Sequence, residues 1–298
     1  MLAKLLRLNL LVIWPLLWLD DGMQSELVIH RISDGTETVL FQTDDLIEAP
    51  NWSPDGSYLV VNGGGRIYRL DIKDPSHLCP IDTGDVVHCN NDHGISPDGQ
   101  TLVISDSPAR GTSLIYAVPI SGGTPRRVTP NAPSYWHGWS PDGTTLSYTA
   151  KRDGNFNIFT IPVKGGDETQ ITFGGGHKDG PDFTPDGEWI WFNSDHHGGR
   201  PDLFRVRPNG QDLEQMTDDN LVNWFPHPSP DGRTILYLAY PTHVEGHPRG
   251  EDVALRLVSP SGGKGQTIAE FYGGQGSINV PCWAPDSSRF AYMKYSRG

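Results

Sequence analysis

Five histidines sit among carboxylates and amides in stretches where packing alone would call for little polarity. His93 lies in Cys89-Asn90-Asn91-Asp92-His93-Gly94, His137 in Tyr135-Trp136-His137-Gly138-Trp139, and His227 in Trp224-Phe225-Pro226-His227-Pro228. His177 shortly precedes Asp179 and Asp182, and His247 shares a segment with Arg249. An imidazole beside a carboxylate can move a proton near neutral pH, which makes His93, His137, Asp179 and His227 the candidate catalytic groups. With oxygen from Asp179 or Gln275, the imidazoles of His93, His137, His177, His227 and His247 could also hold a divalent ion such as zinc or manganese. The guanidinium of Arg249 suits a ligand carboxylate. Trp136 and Trp224, with Tyr135 and Phe225, could stack on a sugar ring or simply cover the rim. No His-x-His, His-Glu-x-x-His or Gly-x-Ser-x-Gly string occurs, and Gly63-Gly64-Gly65 is not followed by the Lys-Ser/Thr of a phosphate loop. Taken singly, each His or Asn also fits a structural role, satisfying backbone amides or bridging buried water. The chemical reading therefore depends on whether these residues converge.

The elements that would bring them together are written in a repeat. Ser53-Pro54-Asp55-Gly56 returns as Ser96-Pro97-Asp98-Gly99, Ser140-Pro141-Asp142-Gly143, Thr184-Pro185-Asp186-Gly187 and Ser229-Pro230-Asp231-Gly232, with Ala284-Pro285-Asp286-Ser287 as a worn sixth copy. The spacings of 43, 44, 44, 45 and 55 residues match the period of a four-stranded propeller blade. Pro pre-sets φ, Asp bonds its own backbone and Gly accepts a positive φ, so each tetrapeptide is a tight turn between strands. The repeated Asp is accordingly structural, and Trp52, Trp139 and Trp283, in one register before the turn, are packing residues between blades. In a blade the innermost strand lines the central channel. Residues just before it gather at the mouth opposite the turns. Asn90, Asn91, Asp92, His93, His137, His177, Asp179, Asp182, His227, Gln275 and Asn279 are thereby expected to ring one funnel. The insertion Pro241 to Asp252 would bring His247 and Arg249 to the same face.

The repeat resembles that of the TolB-type propellers. An aromatic residue, Ser-Pro-Asp-Gly, a strand, a polar loop, Ile-aromatic and Gly-Gly before a Leu/Ile-Thr pair appear together in blade three as Trp139 to Gly143, Asn157-Ile158-Phe159, Gly165-Gly166 and Gln170-Ile171-Thr172. The resemblance runs over roughly residues 26 to 296 and implies an all-β, six-bladed propeller. TolB proteins carry a separate α/β domain before the propeller. The 298 residues here leave no room for one, so a stand-alone propeller is expected, 23–298, preceded by a distinct segment 1–22. Some propeller lyases of acidic oligosaccharides use a His/Gln-bound metal in a similar axial pocket, and the chain is similar to them in that loose sense.

A net charge of −13 excludes the basic surfaces that nucleic acid or an anionic membrane would need. Cys79, Cys89 and Cys282 are odd in number and lack CxxC spacing, so neither a disulfide framework nor a thiolate zinc site is indicated. Lys4 and Arg7 precede an apolar run from Leu8 to Leu19 that has signal-peptide length and is too short to span a bilayer. It fits an export signal, an uncleaved anchor, or a start upstream of a true initiator at Met23; the first implies a periplasmic or exported protein and the last a cytoplasmic one. Strand patterns at 26–42 and 279–295 each look like half a blade, and pairing them would close the ring. The expected function is binding of a small polar ligand, carbohydrate by preference, in the axial funnel, through Asn90, Asn91, Asp92, His93, Trp136, His137, Asp179, Trp224, His227, His247, Arg249, Gln275 and Asn279. The alternatives are a metal-assisted lyase or hydrolase of oligosaccharides using the same funnel, and a scaffold that binds other proteins by its rim.

Overall fold

A computed structural model describes residues 23–195 and 199–297; the leader-like segment 1–22 lies outside them. The chain forms a ring of six antiparallel sheets. Blade one runs outward through Ile47–Trp52, Tyr58–Gly63, Arg66–Asp71 and Cys79–Ile81, and blade two through Cys89–Ile95, Thr101–Asp106, Leu114–Pro119 and Arg126–Arg127. Blade three comprises Ser134–Trp139, Thr145–Arg152, Asn155–Pro162 and Thr169–Gln170, and blade four Lys178–Phe183, Ile190–Ser194, Asp202–Val206 and Glu214–Gln215. Blade five comprises Val222–Pro228, Ile235–Tyr240, Arg249–Val258 and Gln266–Gly274. Among the described residues no helix is long and apolar enough to cross a membrane.

Blade six is shared between the two ends of the chain, as the half-blade patterns require. Arg289–Tyr295 pairs antiparallel with Ser25–Arg31 from Ser25↔Tyr295 to Arg31↔Arg289, and Glu37–Thr43 adds the outer strand. The innermost place is filled less regularly, by a segment in which Trp283 bridges Phe290 and the Ala291 amide donates to the Cys282 carbonyl at 2.9 Å.

The repeated turns form a second ring. In the first, the Gly56 amide donates to the Ser53 carbonyl at 2.9 Å, the Ser53 hydroxyl donates to Asp55 Oδ1 at 2.7 Å, and the Tyr58 amide donates to Ser53 Oγ at 3.1 Å. Bonding from Ser53 and Ser57 pulls the Asp55 carboxyl down to about 2, in keeping with a structural role. Each turn glycine faces the proline of the preceding blade's turn: Gly99 lies under Pro54, Gly143 under Pro97, Gly187 under Pro141, Gly232 under Pro185, and Gly56 under Pro285. The sixth turn replaces Gly with Ser287, which takes φ 59° and accepts a hydrogen bond from the Asp231 amide at 3.0 Å. Trp139 and Trp283 pack between blades and donate their indole N–H to the Gly94 and His227 carbonyls, at 3.3 and 3.0 Å. The core thus lies between sheets rather than at the axis, which leaves the channel wall free to be polar.

Candidate functional site

The inner strand of each of the first five blades carries a β-bulge just before its turn. The register jumps between Glu48 and Asn51, Cys89 and His93, Trp136 and Gly138, Asp179 and Asp182, and Trp224 and His227. In three blades the bulge holds a residue at positive φ before the proline, namely Ala49 at 55°, Gly180 at 61° and Phe225 at 55°. For a bulky side chain such as Phe225 this is a strained conformation of the kind that collects at binding sites. Its amide donates to Asn193 Oδ1 at 3.1 Å, which helps to hold it there. A bulge re-aims side chains, and here it turns one set of polar groups into the channel mouth.

They enclose a cavity of about 320 Å³. Asn90, Asn91, Asp92, His137, His177, Asp179, His247, Gln275 and Asn279 all line it, so nine residues expected at the funnel are brought together. Tyr135, Phe156 and Phe225 supply aromatic wall, with Thr149 beside them. Phe156 and Thr149 escaped the sequence reading. The available signal was a lone aromatic after the polar hairpin tip Asp153-Gly154-Asn155, whereas Thr149 looks like any strand threonine.

Asp179 is the hub. Its Oδ1 lies 3.2 Å from His137 Nε2, and its Oδ2 lies 3.6 Å from His177 Nε2 and 3.7 Å from His247 Nε2. Burial opposes ionisation of Asp179, but the His137 and His177 contacts outweigh it and hold the carboxyl well below its usual range. Burial likewise opposes charging of His137, and the Asp179 bond with the charges of Asp92 and Asp179 raises it nonetheless. His137 Nδ1 faces the Asn279 carbonyl at 3.2 Å. Both ring nitrogens therefore meet acceptors, as an imidazolium requires. His177 stacks on Phe156 at 4.6 Å and is also raised, burial being overcome by Asp179. His247 differs: burial lowers it despite Asp179, and its Nδ1–H is engaged by Gln275 Oε1. A neutral ring bonded this way leaves the Nε2 lone pair free.

A second knot sits beside the first. Glu48 is paired with Arg249 and accepts from Asn62 at 3.1 Å and Asn91 at 3.3 Å, while Gln275 donates to Asn91 Oδ1 at 3.2 Å. Arg249, expected to hold a ligand carboxylate, is instead committed to Glu48. Trp224 backs the cavity by packing on His247 at 4.3 Å without lining it.

Three expected site residues are turned into the fold. His93 is fully buried, has its Nε2 3.5 Å from the Val60 carbonyl, and is pushed down to about 4 by burial, so it is a neutral core group. His227 is fully buried below the cavity, with Nδ1 3.1 Å from Asp182 Oδ2 and Nε2–H donating to the Ile278 carbonyl at 2.6 Å. Burial raises the Asp182 carboxyl, against the pull of His227, and this pair bolts blades four, five and six together. Trp136 is fully buried over Gly94, in the core between blades two and three. Among the described residues no three His, Cys, Asp or Glu side chains form a metal-holding set: two candidate ligands point away, and the other three imidazoles are gathered on one carboxylate.

The architecture is that of a six-bladed β-propeller with a polar, aromatic-walled funnel at one end of its axis. The TolB β-propeller domain family matches residues 131–249. An uncharacterized protein of Agrobacterium fabrum is 46% identical over 274 residues, covering 92% of this chain and 93% of its own. A solved structure from Agrobacterium tumefaciens that carries the TolB name superposes with a TM-score of 0.89 at 47% identity, covering 93% of this chain and 99% of that one. The Tol-Pal system protein TolB of Francisella tularensis is 28% identical over 291 residues, of which this chain spans 60% of the length. The chain belongs to the TolB-like β-propeller family.

Proposed function

We propose that this protein binds a small polar ligand of saccharide type in the axial funnel. The observation that carries the reading is the cavity itself. Its volume of about 320 Å³ suits one or two sugar rings. Tyr135, Phe156 and Phe225 offer flat apolar faces, while Asn90, Asp92, Asp179 and Gln275 offer directed donors and acceptors. That is the mixture by which sugars are gripped, with ring faces on aromatics and hydroxyls on amides and carboxylates. Polar groups in such number exceed what closing a propeller needs, since the Asp182–His227 pair already ties neighbouring blades without reaching the funnel.

A second reading, an oligosaccharide lyase or hydrolase in the same funnel, is favoured by the three imidazoles on Asp179. His177 is the most accessible of them, with its side chain 38% exposed, and stands where a proton could pass to or from a ligand. Both readings are tested on one preparation. Isothermal titration calorimetry against neutral, acidic and amino mono- and disaccharides is expected to give one saturable site per chain. Tyr135→Ala weakens it at least tenfold with unchanged circular dichroism, and Asp179→Asn weakens it at least tenfold while also lowering the melting temperature, because it strands the buried His137 charge. Absence of binding across the panel would sink the pocket reading. Turnover of any oligosaccharide, followed with and without chelator and added manganese, would promote the enzymatic one.

A further inference from the structure

The geometry points to a ligand that enters this funnel bearing a protonated primary amine, which Asp92 receives; the inference rests on reading the funnel as a ligand pocket. The two other carboxylates of the site are already matched by a cation. Glu48 is paired with Arg249, and Asp179 stands 3.2 Å from His137 and 3.6 Å from His177. Asp92 has no ion pair among the described residues, although it is only 5% exposed and lines the cavity. Its neighbour Asn90 orients it, the side-chain oxygen of Asn90 accepting from the Asp92 amide at 3.0 Å. His137 is close enough for its charge to act on Asp92, but both of its ring nitrogens are committed elsewhere, to Asp179 and the Asn279 carbonyl.

Asp92 is therefore the one carboxylate of the site with no cation in direct contact among the described residues. Burial pushes the Asp92 carboxyl up to about 7, with the nearby charge of His137 opposing the rise and those of Asp179 and Glu48 adding to it. A ligand hydroxyl could hydrogen-bond to this carboxylate but would leave the repulsion in place, and an anionic ligand would add to it. An ammonium removes it. The remaining lining suits the same group: the faces of Tyr135, Phe156 and Phe225 attract a desolvated cation, and the Nε2 lone pair of a neutral His247, 3.7 Å from Asp179 Oδ2, offers a second acceptor for its N–H bonds. Arg249, locked on Glu48, is not available to recruit an acidic sugar.

The test is calorimetric titration of the full chain at pH 7 with four probes: the β-1,4 disaccharide of glucosamine, its di-N-acetylated form, cellobiose, and putrescine. The amine is expected to bind at least tenfold more tightly than the two uncharged disaccharides. Putrescine binding as well as the amino sugar would mark an aliphatic amine as the source of the charge, and weaker putrescine binding would mark an amino sugar. Because Asp92 is part-protonated at pH 7, binding of putrescine, whose amines are fully charged there, should release a fraction of a proton, read as a dependence of the heat on the buffer's ionisation enthalpy; the amino sugar, which is itself part-protonated, is compared by affinity alone. Asp92→Asn keeps the shape and the Asn90 contact, and is expected to lose both the tenfold preference and the proton release. Equal binding of cellobiose and the amine, or an Asp92→Asn variant that keeps the preference, overturns the amine while leaving the pocket. No binding of any probe overturns both.

Discussion

At the scale of single residues, the site is a place where stability has been given up. An ionised Asp92 is buried beside the charges of Asp179 and Glu48 with no ion-pair partner among the described residues, and nothing in folding requires this. Its folded pKa of about 7 stands above the ordinary 3.8. The folded state thus binds the extra proton between those values, and stability falls as the pH rises from about 4 through 7, reaching its full cost above 7. Asp92→Asn has no such term. It is expected to melt higher than the parent at pH 8, by at least the 2–4 °C that about 1 kcal/mol is worth in a domain of this class, with the gap narrowing towards pH 5. Thermal unfolding followed by circular dichroism at the two pH values decides it; a variant that melts lower at pH 8 would show Asp92 to be a structural group. His137 and Asp179 behave oppositely. Their shifts are mutual and stabilising, so replacing either one strands the other's charge in a buried place.

At the scale of the inner strand, the residue two before the serine of each turn is dictated by what the next blade puts there. Asn51 occupies it in blade one, accepting from the Ile95 amide at 2.8 Å and donating to the Pro281 carbonyl at 2.6 Å. In blade two it is Gly94, where an added Cβ would come within 2.0 Å of Trp136 Cη2, and in blade three Gly138, where it would come within 2.9 Å of the Pro181 carbonyl oxygen of blade four. Trp136 is fully buried and cannot swing away. Gly94→Ala is therefore expected to lose about 1–3 kcal/mol to overpacking. Gly175→Ala, with nothing within 4 Å of its Cβ position, should be near neutral. Chemical denaturation of the two variants checks this, and equal midpoints would show that the tryptophan has room. The same strands explain what could be read from sequence. The turns, the blade count and the gathering of Asp179, His177, Gln275 and Asn279 at one mouth follow from the repeat. The aim of each side chain does not, because the bulges break the two-residue alternation on which such a reading relies. His93 and His137 share one position relative to their turns. Blade two spans four residue steps from Cys89 to His93 against two on its partner, from Asp106 to Ile104, whereas blade three spans two from Trp136 to Gly138 against one. The longer bulge accompanies a His93 that faces the core, while His137 faces the funnel.

At the scale of the whole molecule, the funnel exists only if the ring is shut, and the ring is shut by a pairing between strands far apart in the sequence. Ser25–Arg31 lies on Arg289–Tyr295 along its full length. Glu37, on the outer strand, then accepts from Tyr292 Oη at 2.6 Å and Lys294 Nζ at 2.5 Å, and His30 stacks on Phe290 at 4.9 Å. Leu27 and Val28 are buried in the clusters on either side of this sheet, so removing the strand would uncover apolar faces as well as a row of unpaired amides and carbonyls. Closing such contacts carries a loop-closure cost that grows only slowly with chain length, so the clasp has to be strong locally rather than short in sequence. The cavity depends on it directly: Asn279 and Gln275 precede the C-terminal half-blade, and the Gly276 amide is held by Asn279 Oδ1 at 2.6 Å. A chain beginning at Asp45 is therefore expected to lose its cooperative melt and to associate through the bared edge of Arg289–Tyr295, read by calorimetry and light scattering. A synthetic peptide of residues 23–44 added during refolding should restore a monomeric species with the parent transition. If the truncated chain melted at the parent temperature without the peptide, the clasp would be ornamental, and blade five with the C-terminal half-blade would have to hold the funnel unaided.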